Sequence, residues 1–166
     1  MFTYGITNEL TLETLQLDEA DILFTLIQEN KTHLGKWLPW VHRCKGIEDV
    51  KTFIQSTHNV YAEQKGIEAG IKLNKQLIGV FRLTFYQNIG NIGYWIHQDA
   101  QGQGIVTKTV KYMTEEFAHE LDGFDIFCPV GHVRSERVAM KAGFQLDPHY
   151  QPKTDTAFVL KRYIRR

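Results

Sequence analysis

Cysteine is scarce in this 166-residue chain: Cys44 and Cys128 lie far apart and form no Cys-x-x-Cys pair. A disulfide framework therefore has no support, and a reducing, intracellular setting is expected. Proline is scarce too, with four in all. No Ser/Pro/Gly-rich stretch or internal repeat interrupts the chain, so a single domain over residues 1–166 is expected. No apolar run approaches the ~20 residues that cross a bilayer, and Met1 to Gly5 lack the charged-then-apolar order of a secretory signal. A cytoplasmic protein with no membrane partner is the expectation. Charge of one sign is not in excess: Lys+Arg and Asp+Glu are both 19, which argues against a protein built to coat nucleic acid. The C-terminus does gather Lys161, Arg162, Arg165 and Arg166, read as a strand end and solvated tail, with an anionic partner as the other reading. His42, Cys44 and His58 lack the spacing of a metal site, so no metal is expected.

What is present is a core-forming pattern, 43% hydrophobic against 23% charged. Residues 10–15 alternate apolar and polar like a half-buried strand. Asp18 then stands where it can cap a helix carrying Ile22, Leu23, Leu26 and Ile27. A tryptophan-bearing loop, residues 34–40, leads to a second helix marked by Ile47, Val50, Phe53, Ile54 and Tyr61. Residues 67–73, 77–85 and 89–96 read as strands separated by short polar turns, which makes an antiparallel meander. Val106, Val110, Met113, Phe117 and Leu121 fall on one face of a long helix. A strand over 124–130, a short helix over 135–142 stopped by Gly143, and a strand over 157–164 complete the chain. The central meander makes this a mixed α+β protein and not a doubly wound sheet.

Gly102-Gln103-Gly104 stands between a strand and the long helix. Glycine lets the backbone approach a ligand there, and the first N–H groups of a helix are unpaired donors at its positive end. A phosphate is the natural ligand; an ordinary tight turn is the alternative. The Walker pattern is absent, and a dinucleotide fingerprint would need glycine where Thr107 stands.

Four separated segments, in order, carry a resemblance: Trp37-Leu38-Pro39-Trp40, Ile92-Gly93-Tyr94-Trp95-Ile96, Gly102-Gln103-Gly104-Ile105-Val106-Thr107, and Ser135 through Gly143-Phe144. Together they resemble the GNAT acyl-CoA-dependent N-acetyltransferases, and within them the RimJ/RimL group that acetylates N-terminal amines of ribosomal proteins. The resemblance implies a central, mostly antiparallel twisted sheet, splayed between its fourth and fifth strands, with helices on both faces. It implies acetyl-CoA as cosubstrate, its diphosphate on the amides of Gln101, Gly102, Gln103, Gly104, Ile105, Val106 and Thr107. The pantetheine arm would run along Trp95 and Ile96, near His132 and Ser135. Three positions depart from the group's pattern: Asp99 opens the loop where glutamine or arginine is usual, His132 replaces an asparagine, and Asp147 stands for a longer acid.

The chemistry needs a neutral amine, a stabilised oxyanion and a protonated thiol. An α-amine near 8 is roughly a tenth neutral at pH 7, whereas a lysine near 10.4 is neutral at below a part in a thousand. The resemblance places the backbone N–H of Ile96 at the oxyanion and Ser135 at the leaving thiolate; a plain helix N-cap is the other reading of Ser135. Asp147, Glu68 or a water is the base, although Glu68 also reads as a solvated strand residue and Asp147 as a turn cap. Trp37, Trp40 and Tyr94 would wall the acceptor site, or simply pack. The expected acceptor is a protein N-terminus, with a small amine such as a polyamine or antibiotic as the alternative acceptor. A CoA-binding sensor without turnover is a third reading. Relatives of the group are often homodimers, and the tryptophan loop is the contact that this implies.

Overall fold

The computed structural model describes residues 1–153 and 157–166. One eight-stranded sheet organises it, in the spatial order β1-β2-β3-β4-β5-β6-β8-β7. The strands are β1 (Thr3–Gly5), β2 (Leu10–Glu13), β3 (Gly66–Leu73), β4 (Gln76–Tyr86), β5 (Ile89–Ile96), β6 (Gly123–Pro129), β7 (Gln145–Leu146) and β8 (Leu160–Arg165). Helices α1 (Ala20–Glu29), α2 (Lys31–Gly35) and α3 (Ile47–Ala62) precede the meander, and α4 (Ile105–Glu116) and α5 (Val133–Lys141) follow it.

The meander closes through two tight turns whose central residues, Asn74-Lys75 and Gln87-Asn88, all have positive φ. Such turns match the right-handed twist of the strands they join. Within β4, Phe81 and Leu83 face the cluster built by α4 and α5, while Val80 faces the cluster built by α1 and α3. Both faces of the sheet are thus covered, as the resemblance implied. Every neighbouring pair is antiparallel except β5–β6. That parallel pair holds only from Ile89↔Gly123 to Ile92↔Ile126. Beyond it the sheet opens, with residues 93–96 on one side of the gap and 127–129 on the other.

Several sequence expectations move. Asp18 does not cap α1: the chain first makes a 3-10 turn, Leu17–Glu19, whose start is held by the Glu19 carboxylate accepting from Gln16 N–H at 2.8 Å. The long helix ends at Glu116, and Leu121 lies beyond it because Phe117 terminates the helix and packs on Phe85, ring centroids 5.7 Å apart. β1 and α2 carry too few residues to show a period. The last strand starts at Leu160, where pairing with Pro129 begins. Gly143 does stop α5, at φ +88°: Gly143 N–H donates to Met140 O and Phe144 N–H to Ala139 O, the paired bonds of a Schellman end. The basic C-terminus is not a solvated tail. Arg162 and Arg166 both bind Asp125, at 2.8 and 2.9 Å, and Lys161 binds Glu136 at 2.8 Å.

Candidate active site

A cavity of about 640 Å³ occupies the gap between β5 and β6. Its floor at one end is the loop before α4. Gly102 and Gly104 adopt φ +79° and +74°, and a Cβ at either would meet nothing within 4 Å. The backbone N–H groups of residues 102–107 have no acceptor among the described residues; the first bonded one is Lys108 N–H, to Gly104 O at 3.0 Å. The start of the loop is tied down by buried Asn30, which accepts from Gln98 N–H at 2.8 Å while donating to Leu26 O at 2.7 Å. A row of free amides at a helix N-terminus is an anion site. Arg134, Arg137 and Lys141 of α5, spaced along one side of that helix, also line the cavity.

At the other end, residues 93–96 of β5 border the gap. His97 N–H donates to Ile78 O on β4 at 2.7 Å. Strand alternation then turns the N–H groups of Ile96 and Tyr94 away from β4, into the opening that β6 has left. Opposite them sits Ser135, the third residue of α5 and not its cap. Its Oγ lies 3.0 Å from the Tyr94 hydroxyl and 3.3 Å from Cys128 Sγ, and the Tyr94 O–H also reaches Ser135 O at 3.3 Å. Burial holds the Tyr94 phenol well above its ordinary pKa and pushes the Cys128 thiol up to about 11. All three groups therefore stay protonated near neutrality, a neutral proton-donor set.

Trp37 stacks on His132, centroids 4.5 Å apart and planes within 9°, which joins the tryptophan loop to the turn before α5. Burial, then the nearby His33 and Arg134, lowers the pKa of His132; burial and Arg134 do the same for His33. His33 accordingly pairs with Gln101 Nε2 at 2.6 Å as a neutral ring. These shifts carry a stability prediction. A histidine held neutral in the folded chain binds its proton more readily when unfolded, so stability is complete above about 6.5 and falls as pH drops below it. The urea midpoint should fall between pH 7.5 and 5.0, and fall less in His132→Gln. Identical pH profiles for the two proteins would remove His132 from this account.

The geometry brings together Trp37, Tyr94, Trp95, Ile96, Gln101, Gly102, Gly104, Ile105, Val106, Thr107, His132 and Ser135, all lining the cavity. Gln103, Trp40, Glu68 and Asp147 do not line it. Gln103 turns back onto Asp99 O at 3.4 Å, and Trp40 packs on Trp95 from the α1–α3 side. Tyr94 turns its hydroxyl to Ser135 of α5. Asp147 is ion-paired to Arg162 at 3.2 Å, and its other oxygen accepts from His149 N–H at 3.0 Å in a local turn. Glu68 stands on β3 opposite Arg82; burial raises its pKa and Arg82 opposes the rise. Asp99 is 93% exposed, so water screens its charge from the loop amides.

Residues 9–145 match the family model described as Acetyltransferase (GNAT) domain. The chain is a GNAT acetyltransferase. This acetyltransferase is 32% identical over 152 residues to YdaF of Bacillus subtilis, assigned as a ribosomal N-acetyltransferase, covering 87% of this chain and 82% of that protein. It is 31% identical to the ribosomal-protein-serine acetyltransferase of Escherichia coli, covering 87% and 84%. The crystal structure of the microcin self-immunity acetyltransferase MccE, in complex with acetyl-CoA and AMP, superposes with a TM-score of 0.89 at 25% identity, covering 96% of this chain and 93% of that one. The acetyltransferase takes its acetyl group from acetyl-CoA, and the site suits that donor. The free amides of residues 102–107 form an anion site of the kind a diphosphate fits, and the α5 cations line the same cavity. His33, Arg82, Asn91, Arg134, Arg137 and Lys141 also line the cavity without having been read from the sequence. Only the i, i+3, i+7 spacing of the three α5 cations was a signal that could have found them. No helix among the described residues is long and apolar enough to cross a membrane.

Proposed function

We propose that this acetyltransferase acts on the N-terminal α-amine of a protein, with ribosomal proteins first among the candidates. Both relatives above bear names that assign them to ribosomal acceptors. The observation that carries the reading is the charge of the cavity: Arg82, Arg134, Arg137 and Lys141 line it, and among the described residues no aspartate or glutamate does. A polyamine or aminoglycoside carries several cations and would find no carboxylate among the described lining residues to pair with. The described lining also offers no carboxylate base. An α-amine needs roughly 3 kcal/mol less deprotonation than a lysine at pH 7, so it is the acceptor that asks least of such a site.

Acetyl-CoA supplies the activated acyl group; the chain's own groups do the rest. The Ile96 N–H, fixed by the fold and aimed into the gap, donates to the charge that develops on the carbonyl oxygen without any reorganisation. When the Tyr94 phenol donates to Ser135 Oγ, the Ser135 proton is free to pass to the departing sulfur as the C–S bond breaks, and Ser135 recovers a proton from the water that receives the one lost by the amine. With Asp147 held by Arg162 and Glu68 outside the lining, water takes the proton that the amine nitrogen loses as its bond to carbon forms. A ribosomal acceptor is met in the cytoplasm, a compartment that also suits the free thiols of Cys44 and Cys128.

The test supplies isotopically labelled acetyl-CoA and ribosomal proteins from cells lacking the enzyme, and locates the label by peptide mass spectrometry. Label on one protein N-terminus is expected. Label confined to lysine side chains, or none above the enzyme-free control, would sink the reading.

A further inference from the structure

The charge that no donor-side feature explains is Arg82. Alternation along β4 puts it on the face of Val80, the face that α1 and α3 cover nearer β3. The loop amides and the α5 cations lie with the opposite face. Across the strands Arg82 is in register with Glu68 on β3 and Gly93 on β5. Gly93 is the first residue of β5 past the last pairing with β6. The guanidinium lies over it: a Cβ at Gly93 would sit 3.5 Å from Arg82 Nη2 and 3.6 Å from Nε. The bare glycine thus lets the charged head extend over the point where the sheet opens. Glu68 comes within no ion-pair distance of it among the described residues. Asn91, two residues earlier on the same face of β5, also lines the cavity and adds an amide.

Resting on the α-amine reading above, we propose that Arg82 determines acceptor specificity, selecting a peptide N-terminus that carries an acidic side chain at its second or third residue. Position and charge both point this way. Gly93 and Ile96 are three residues apart in a strand, about 10 Å. An extended peptide rises by about 3.4 Å per residue, so an amine presented near Ile96 brings its second or third side chain to Arg82. A guanidinium takes a carboxylate through two parallel hydrogen bonds. The Arg82 charge repels an incoming ammonium, which favours its neutral form but weakens binding. An acidic neighbour on the acceptor restores the attraction.

The test uses the whole chain, acetyl-CoA, and peptides that differ only by Glu, Gln or Lys at the second and third positions. Rates are measured as kcat/KM, and binding to the CoA-loaded protein is measured by calorimetry, independently of turnover. Glu peptides should exceed Gln peptides roughly tenfold, the scale of a partly exposed charge-assisted pair, with Lys peptides lowest. Arg82→Gln should level the series and Arg82→Glu should invert it. An unchanged ranking in both variants, or equal handling of Glu and Gln by the unaltered chain, overturns the proposal. If no peptide is acetylated the α-amine reading fails, and the binding series still decides: preference for Glu supports Arg82 as the selector, and equal binding refutes it.

Discussion

Replacing Ser135 by alanine is expected to lower kcat on the order of a hundredfold, the usual scale of a positioned proton donor, while CoA binds with nearly unchanged affinity. The separation of the two effects follows from where Ser135 sits. The free amides of residues 102–107 precede α4, whereas Ser135 lies on α5, hydrogen-bonded to Tyr94 at 3.0 Å, so its loss leaves that anion site intact. The variant should fold, because the Tyr94 O–H keeps Ser135 O as an acceptor at 3.3 Å and the buried group that loses its partner is the weakly hydrogen-bonding Cys128 thiol. Tyr94→Phe is the companion variant. It keeps the ring in the core and removes the donor that directs the serine proton, so a smaller loss, roughly tenfold, is expected. Stopped-flow turnover with a saturating acceptor peptide, alongside CoA calorimetry, reads both numbers. An unchanged kcat in Ser135→Ala would mean that the thiolate leaves with a proton from water or from the amine itself.

The parts of the site that the sequence disclosed are those built by neighbours in the chain. The phosphate loop needs glycines just before a helix, and Gly102 and Gly104 occupy positive φ there, so its chemistry is local. The meander was legible because short polar turns separate its strand-like runs. The residues that the geometry keeps out of the cavity are placed by partners distant in sequence. Asp147 read as a base because of its place after Gly143-Phe144, but Arg162 on β8 claims it. Trp40 read as an acceptor wall, but only the packing of the tryptophan loop against Trp95 decides which way it faces. Arg82 escaped notice for the same reason: nothing around it in sequence marks it, and only registration with Gly93 across β4–β5 brings its charge to the cavity. The departures Asp99 and His132 also needed three dimensions. The first points into water, and the second becomes the stacking partner of Trp37.

The other large effect is expected at a residue that touches no substrate. Gly79 lies opposite Ile96 on β4, and a Cβ there would come within 2.2 Å of Trp95 O and 2.9 Å of Ile96 Cα. Both are backbone atoms of the strand that borders the gap, so neither can swing aside. Gly79→Ala must push β5 away from β4. Overpacking of this kind costs about 3 kcal/mol, which lowers Tm by roughly 10 °C in a domain of this size. The displaced segment is also the one that carries the Ile96 N–H, and a shift of about 1 Å in such a donor can cost on the order of a hundredfold in rate. Two other glycines separate crowding from the mere loss of glycine. At Gly70 the new Cβ meets Leu77 Cδ1 at 2.7 Å and Leu15 Cδ2 at 3.0 Å, the ends of side chains that can rotate, and at Gly5 it meets nothing within 4 Å. The loss of stability should therefore rank Gly79→Ala above Gly70→Ala above Gly5→Ala, and only the first should lose activity beyond its loss of folded protein. Equal melting temperatures for the three would mean that β4 and β5 are free to slide apart, and the donor at Ile96 would then owe its position to something other than the sheet.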